Sequence, residues 1–328
     1  MQRDHRSYRR ASLGMVWYSI WPLYKEIFIY LYIMESSTEK LIVQLKAFAD
    51  PVRLRLLALC VRGECTVSEL TQVMGQSQPR ISQHLKQLCD AGLLERFRDG
   101  HFVYYRVPLG SEQAVQRRRL FALLPSDESA YESDFDNLCA LRAEQGVVVS
   151  GKVDDSVRSL HRALIELTVT MPLGDLIDIG SGEGRILKLL GSRAQRAVGV
   201  DIDADSRQLA RAELLLAGVE NCSLRHGDMY DLPFADGEFD TVILDDVLSD
   251  AERPMVAIAE ARRILKTGGR MLLLSKTDDR DTAQFSKQIA VWCGAAGLRL
   301  ASPRHVPAQE PRWILGVASP ADRESAAA

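Results

Sequence analysis

Nine residues, DIGSGEGRI at 178–186, set Asp178, Gly180, Gly182, Glu183 and Gly184 almost side by side. Glycines let backbone approach a ligand closely, so the question is which ligand two neighbouring carboxylates would accept. A dinucleotide loop wants G-x-G-x-x-G, and Arg185 stands where the third glycine would be. A phosphate loop would end in Gly-Lys-Ser/Thr, which is missing here. Asp178 and Glu183 would repel a pyrophosphate and favour a cationic ligand, one carrying an ammonium and a sulfonium.

S-adenosylmethionine carries both groups, and further carboxylates follow at spacings that suit it. Asp201 comes 19 positions after Gly182, placed to accept from ribose hydroxyls, with Ile202 beside it. In HGDMYDLPF, Asp228 could accept from an adenine amino group while Met229 packs on the ring. Asp245 and Asp246, in VILDDVL, close the series. They are also the candidates for a catalytic base, should a methyl acceptor need one. Taken singly each Asp reads as a cap or turn residue; at successive strand ends they read as a ligand site.

A second group of residues suits a different chemistry. In SQPRISQHLKQLCDAGLL, residues 77–94, Ile81, Leu85 and Leu88 recur at helical core spacing and Ser77 can cap the start. Gln78, Arg80, Ser82, Gln83, His84 and Lys86 fall largely on the remaining surface. Amide, hydroxyl and cationic side chains near the start of a short helix fit the DNA major groove. LERFRDGHFVYYRV then reads as a β-hairpin turning at Asp99-Gly100, with Arg98 and His101 near its tip.

The elements around these residues fall into two sets. Before the 77–94 segment come three helical stretches, broken at Asp50-Pro51 and at Gly63, the third running from Thr66 or Ser68 to Gly75. After residue 150, short apolar runs (DLIDIG, AVGVDI, SLRHGD, DTVILD, RMLLLS, WILGVA) alternate with helical stretches, the pattern of a mostly parallel sheet covered on both faces. The expected divisions are a domain at 34–124, a helical hinge at 125–149, a second domain at 150–320 and a disordered tail at 321–328.

The 328 residues, 46% hydrophobic, also favour two domains over one. Residues 34–124 hold 13 Lys+Arg against 9 Asp+Glu, whereas residues 125–328 hold 23 against 33. One half could approach a polyanion that the other would repel. The six cysteines are scattered with no C-x-x-C pair, so no metal site and reduced thiols are expected. Residues 1–33 read as a non-native or disordered extension with Met34 as the true start. A membrane anchor there is the alternative, disfavoured by Pro22, Lys25 and Glu26 within the apolar run.

QSQPRISQHL followed by AGLLERFRDGHFVYYRV resembles the winged helix-turn-helix of the ArsR/SmtB family of bacterial repressors, over residues 40–107. The resemblance implies a cytoplasmic homodimer, paired through its first helix and a later one near SEQAVQRRRLFALL, on an inverted-repeat operator in double-stranded DNA. The metal-sensing cysteines of the family are not matched: Thr66 and Ser68 stand in their place. The constellation of Asp178, Gly180, Gly182, Gly184, Asp201, Asp228 and Asp245 resembles class I S-adenosylmethionine-dependent methyltransferases, over residues 150–319, with GLRLASPRHV and WILGVAS as the closing antiparallel pair.

The expected fold class is therefore α/β: an N-terminal winged helix-turn-helix domain plus a C-terminal Rossmann-like domain with a seven-stranded, mostly parallel sheet. The expected function is a transcriptional regulator with S-adenosylmethionine or S-adenosylhomocysteine as effector. The alternative is an active methyltransferase on a small-molecule acceptor.

Overall fold

The structure, a computed structural model, describes residues 38–108, 114–124, 128–144, 155–169, 171–277, 282–309 and 311–321. The expectations for residues 1–33, for most of the tail and for parts of the hinge lie outside these residues.

The chain starts with α1 (38–48) and α2 (Pro51–Arg62). Asp50 separates them because its carboxylate accepts from Arg53 N at 2.9 Å and Pro51 opens the next helix. The short strand β1 (Cys65–Thr66) leads into α3 (Val67–Met74), which Thr66 and Glu69 close with a reciprocal capping box and Gly75 ends in the left-handed region. Helix α4 (Gln78–Asp90) follows, and β2 (Glu95–Asp99) pairs antiparallel with β3 (Phe102–Arg106), which also pairs with β1. Gly100, the first of two turn residues, has φ +57°, as a II′ hairpin turn requires. One expectation fails locally: Ser77 sits at the N-cap of α4 with extended backbone, but its hydroxyl accepts no capping hydrogen bond.

Helices α5 (Ala114–Phe121) and α6 (Ser129–Glu144) come next. Leu120 and Leu138 join Leu56, Leu57, Leu70, Ile81, Leu85 and Leu93 in one apolar core. Helix α6 is also fixed by ion pairs, with Arg55 Nη2 at 2.5 Å from buried Asp134 and Arg142 Nε at 2.7 Å from Glu69.

The second half opens with α7 (Asp155–Val169) and builds one sheet from β4 (Asp175–Ile179), β5 (Arg196–Asp201), β6 (Cys222–His226), β7 (Phe239–Asp245), β8 (Leu265–Lys276), β9 (Leu298–Leu300), β10 (Arg304–Val306) and β11 (Trp313–Pro320). The order is β10-β11-β8-β7-β4-β5-β6, with β9 also on β11. Strands β4 to β8 are mutually parallel and β11 is antiparallel. Eight strands stand where seven were expected. GLRLASPRHV forms two short strands on β11 because Pro303, which has no N–H, interrupts the ladder between them.

Helices α8 (Arg185–Leu190) and α9 (Ala204–Leu216) follow β4 and β5, while α10 (Pro254–Ile264) and α11 (Thr282–Ala295) precede β8 and β9. Alternate residues of the strands feed two cores. Ile177, Ile179, Val242, Leu244 and Leu273 pack with α10 and α11; Leu176, Ile243, Leu272, Leu274 and Trp313 pack with α7 and α8. This alternation puts Asp178, Asp245 and Lys276 on the α7/α8 face of the sheet.

Candidate functional site

The carboxyl rim of β4, β5 and β7 is where parallel sheets of this kind bind ligands. Strand β4 leads into the glycine loop, which is held by Gly180 N and Ser181 N donating to Val200 O at 2.7 and 3.0 Å. Gly180 has φ +72°, and a Cβ there would lie 2.1 Å from Val247 Cγ1, so no larger residue fits. Gly182 has φ +49° and a Cβ there would meet nothing within 4 Å. The loop's backbone therefore faces open space at Gly182, and Gly184 starts α8 beyond it.

Asp178 carries the strongest signal. It is fully buried, and neither carboxylate oxygen has a hydrogen-bond partner. Buried carboxylates are normally paired, because an unpaired charge is costly to desolvate. Burial, reinforced by the nearby charge of Asp245 and only partly opposed by Arg185, pushes its pKa well above the ordinary carboxylate value. Such a group is completed by a cation or a donor brought from outside, as the ammonium of an amino-acid ligand would do.

Asp201 already accepts from Gly182 N at 2.8 Å through Oδ2 and from Asp203 N at 2.8 Å through Oδ1. It joins the glycine loop to the start of α9 and keeps lone-pair directions for a ligand hydroxyl. Ile202 beside it is 67% exposed, an apolar side chain left at the rim. Asp228 is exposed and holds Tyr230 N at 2.9 Å, while half-buried Met229 packs on the core.

Asp245 and Asp246 differ from simple bases. Both oxygens of Asp245 lie 2.7 Å from Arg185 Nη2, so this carboxylate is engaged by a cation. Asp246, at φ +58°, accepts from Lys276 N at 2.8 Å, and burial raises its pKa despite that bond.

Three residues at this rim were not singled out by sequence reasoning. Arg185 lies over the Trp313 ring at 4.8 Å while it holds Asp245. His161 of α7 has a buried Nε2 without a partner, and burial together with Arg185 holds its pKa below the usual imidazole value, with Asp245 opposing. The only sequence signal was Arg185 in place of a third glycine. His161 and Trp313 come from elements far away in sequence.

Gly182→Arg is expected to abolish ligand uptake by filling the open space at the loop, with the fold retained. Equilibrium dialysis against labelled S-adenosylmethionine reads this, and undiminished uptake would show that the loop is not the cradle.

At the other end of the chain, Gln78, Arg80, Gln83 and Lys86 of α4 are exposed and Ser77 precedes them at the surface. Ser82 is half-buried. His84 turns inward, its Nδ1 3.8 Å from Asp50 Oδ1, away from the exposed row. Arg98 and His101 are exposed at the wing, whereas Asp99 between them is buried. Among the described residues no cluster of His, Cys, Asp or Glu could hold a metal ion, and no helix is long and apolar enough to cross a membrane.

Comparisons with known proteins match both halves. Residues 50–96 match the model for bacterial regulatory proteins of the arsR family, and residues 177–273 match a methyltransferase domain. A probable mercury resistance operon repressor from Streptomyces lividans is 40% identical over 85 residues, 26% of this chain and 66% of that protein. An arsenite methyltransferase from Aquipseudomonas alcaligenes is 33% identical over 129 residues, 36% of this chain and 37% of that protein. The chain thus spans less than two thirds of the length of these relatives. Among solved structures, the YcgJ protein of Bacillus subtilis is similar at a TM-score of 0.42 and 17% identity, over 51% of this chain and 99% of that one. A segment that matches the arsR-family model thus precedes, in one polypeptide, a segment that matches a methyltransferase domain and has α/β architecture.

Proposed function

We propose that this chain is a DNA-binding transcriptional regulator whose C-terminal domain takes up S-adenosylmethionine or S-adenosylhomocysteine as its effector. The observation that carries the ligand half is Asp178: a buried carboxylate without a partner, next to a loop whose backbone faces open space at Gly182. Asp201, Ile202, Asp228 and Met229 along the same rim have the chemistry for ribose and adenine. When bound, the ligand supplies the ammonium that Asp178 lacks.

The DNA half rests on α4 and the wing. Gln78, Arg80, Gln83 and Lys86 form an exposed polar row over a buried apolar one, and Arg98 and His101 stand where a wing meets the DNA backbone. Helix α1 exposes Leu41, Ile42, Val43 and Leu45 at 37–49%, apolar surface spread around about half of the helix that supports pairing of two copies through it. Two copies would present two recognition helices to an inverted repeat.

Gel-shift titration tests the whole. Operator affinity is expected to change when either ligand is added. Arg80→Ala and Gln83→Ala are each expected to weaken specific binding by about 1–3 kcal/mol, roughly 5- to 150-fold. An operator shift indifferent to both ligands would overturn the effector role, and unchanged binding by both variants would remove α4 from recognition.

One observation favours a second reading, a methyltransferase on a small-molecule acceptor. His161 has an unpartnered Nε2 on the same rim, and burial with Arg185 disfavours its protonated form, whereas Asp245 is tied to Arg185. His161 rather than Asp245 or Asp246 would then take the acceptor's proton. Turnover of S-adenosylmethionine with metabolite extracts, lost in His161→Ala, would establish catalysis. Absence of turnover would leave the regulator reading alone.

A further inference from the structure

The two modules share a buried ionic joint, and it lies between the ligand rim and the wing. Asp99, at the wing tip, is 6% exposed; it accepts from Arg207 Nε at 3.0 Å, from Arg207 Nη2, and from Arg211 Nη2 at 2.6 Å. Both arginines belong to α9. Arg211 Nε also reaches Glu64 Oε2 at 2.6 Å, and Glu64 Oε1 accepts from Arg106 Nη1 of β3 at 2.7 Å. Leu215 of α9 completes the apolar core of the N-terminal module.

Arg207 has a third bond. Its Nη1 donates to the backbone carbonyl of Asp201 at 2.8 Å, and the Asp201 carboxylate holds Gly182 N of the glycine loop at 2.8 Å. The path from the ligand loop to the wing is therefore Gly182, Asp201, Arg207, Asp99, with each link a hydrogen bond within or between buried and half-buried groups. A further contact between the halves bypasses the rim: Arg142, ion-paired to Glu69 and bonded to Glu64 O within the N-terminal half, donates to the backbone carbonyl of Arg211 at 3.2 Å.

We propose that Arg207 couples the ligand rim to the wing, and that the effector acts on DNA binding by shifting the Asp99 clamp while the core of α4 stays unchanged. This rests on the effector reading above. Ligand hydroxyls at Asp201 would share its carboxylate with Gly182 N–H and Asp203 N–H, and Asp203 is the N-cap of α9. Loosening or tightening that first turn moves Arg207, which has a bond on each side. The wing has room to respond: a cavity of about 300 Å³, lined by Phe102 and Tyr104 of β3 and by Thr66, Glu69, Leu209 and Arg211, lies beside the clamp. A coupling of this kind is reciprocal, so DNA must change ligand affinity by the factor by which ligand changes DNA affinity.

The test uses the full-length protein and a duplex selected on it from a random library. Ligand affinity is measured by calorimetry with and without the duplex, and duplex affinity with and without S-adenosylhomocysteine. The wild type is expected to show one coupling factor, on the order of 10-fold, in both measurements. In Asp99→Asn, and independently in Arg207→Lys, each ligand should still bind alone while the factor falls towards one. An unchanged factor in both variants overturns the proposal and leaves the effector reading intact. A wild type that binds no ligand or no duplex defeats the effector reading and this inference with it. Hydrogen exchange on the wild type guards against misfolded variants: ligand should change amide protection over residues 98–103, and a change confined to the C-terminal domain contradicts the coupling.

Discussion

Asp178→Asn is expected to reduce affinity for S-adenosylmethionine by about 30- to 5,000-fold and, at the same time, to remove a pH-dependent destabilisation of the ligand-free protein. Losing one partner of a buried charge pair costs about 2–5 kcal/mol of binding. The stability effect has the opposite sign. The folded-state pKa of Asp178 is raised, so between the ordinary carboxylate range and that raised value the folded protein binds more protons than the unfolded chain. Stability from this group is complete below the unfolded pKa and is lost as pH rises towards the folded one. The variant has no such loss, and its advantage in thermal midpoint over the wild type should grow with pH across this window. Ligand binding should release a proton from Asp178, making wild-type affinity rise with pH and that of the variant flat. Calorimetry in two buffers of different ionisation enthalpy measures the proton directly. Equal pH profiles for the two proteins would show that Asp178 is already satisfied without a ligand.

The second large effect concerns the joint. Arg211→Met leaves the carboxylates of Glu64 and Asp99 buried with half their partners, and breaking a buried pair in this way costs about 3–5 kcal/mol. Adding Glu64→Gln should recover part of that loss, because the remaining carboxylate then keeps Arg207. Acid should weaken the same joint. Burial pushes the Asp99 carboxyl up, but the bonds to Arg207 and the charge of Arg211 outweigh it and hold it below the ordinary value. Its contribution is thus present above the unfolded pKa and lost as pH falls through the folded one. Urea unfolding followed by circular dichroism reads both; a single-variant loss under 1 kcal/mol would mean that the joint is not closed in solution.

Much of the fold was legible because local signals agreed. Asp50-Pro51, Thr66 with Glu69, Gly75 and Gly100 mark boundaries through backbone geometry that the sequence states outright. The strand runs were legible because buried parallel strands are continuous apolar segments. The strand count differed only where Pro303 splits one run.

The site was half legible. Loop glycines and rim carboxylates follow from spacing along the chain. Their partners do not: Arg185 reaches Asp245 across 60 residues, and His161 and Trp313 meet the rim from α7 and β11. The joint was invisible for the same reason. Asp99 read as a turn residue of the wing, and only the packed structure puts Arg207, 108 residues on, against it.

The proposed preference of the carboxylate-lined rim for a cationic adenosyl amino acid over an anionic nucleotide is tested most directly by one competition titration. Calorimetric titration of the full-length protein with S-adenosylmethionine should give saturable binding that nicotinamide dinucleotide does not displace, and that Gly182→Arg and Asp178→Asn both lose. Tight binding of the dinucleotide, unaffected by excess S-adenosylmethionine, would contradict the account.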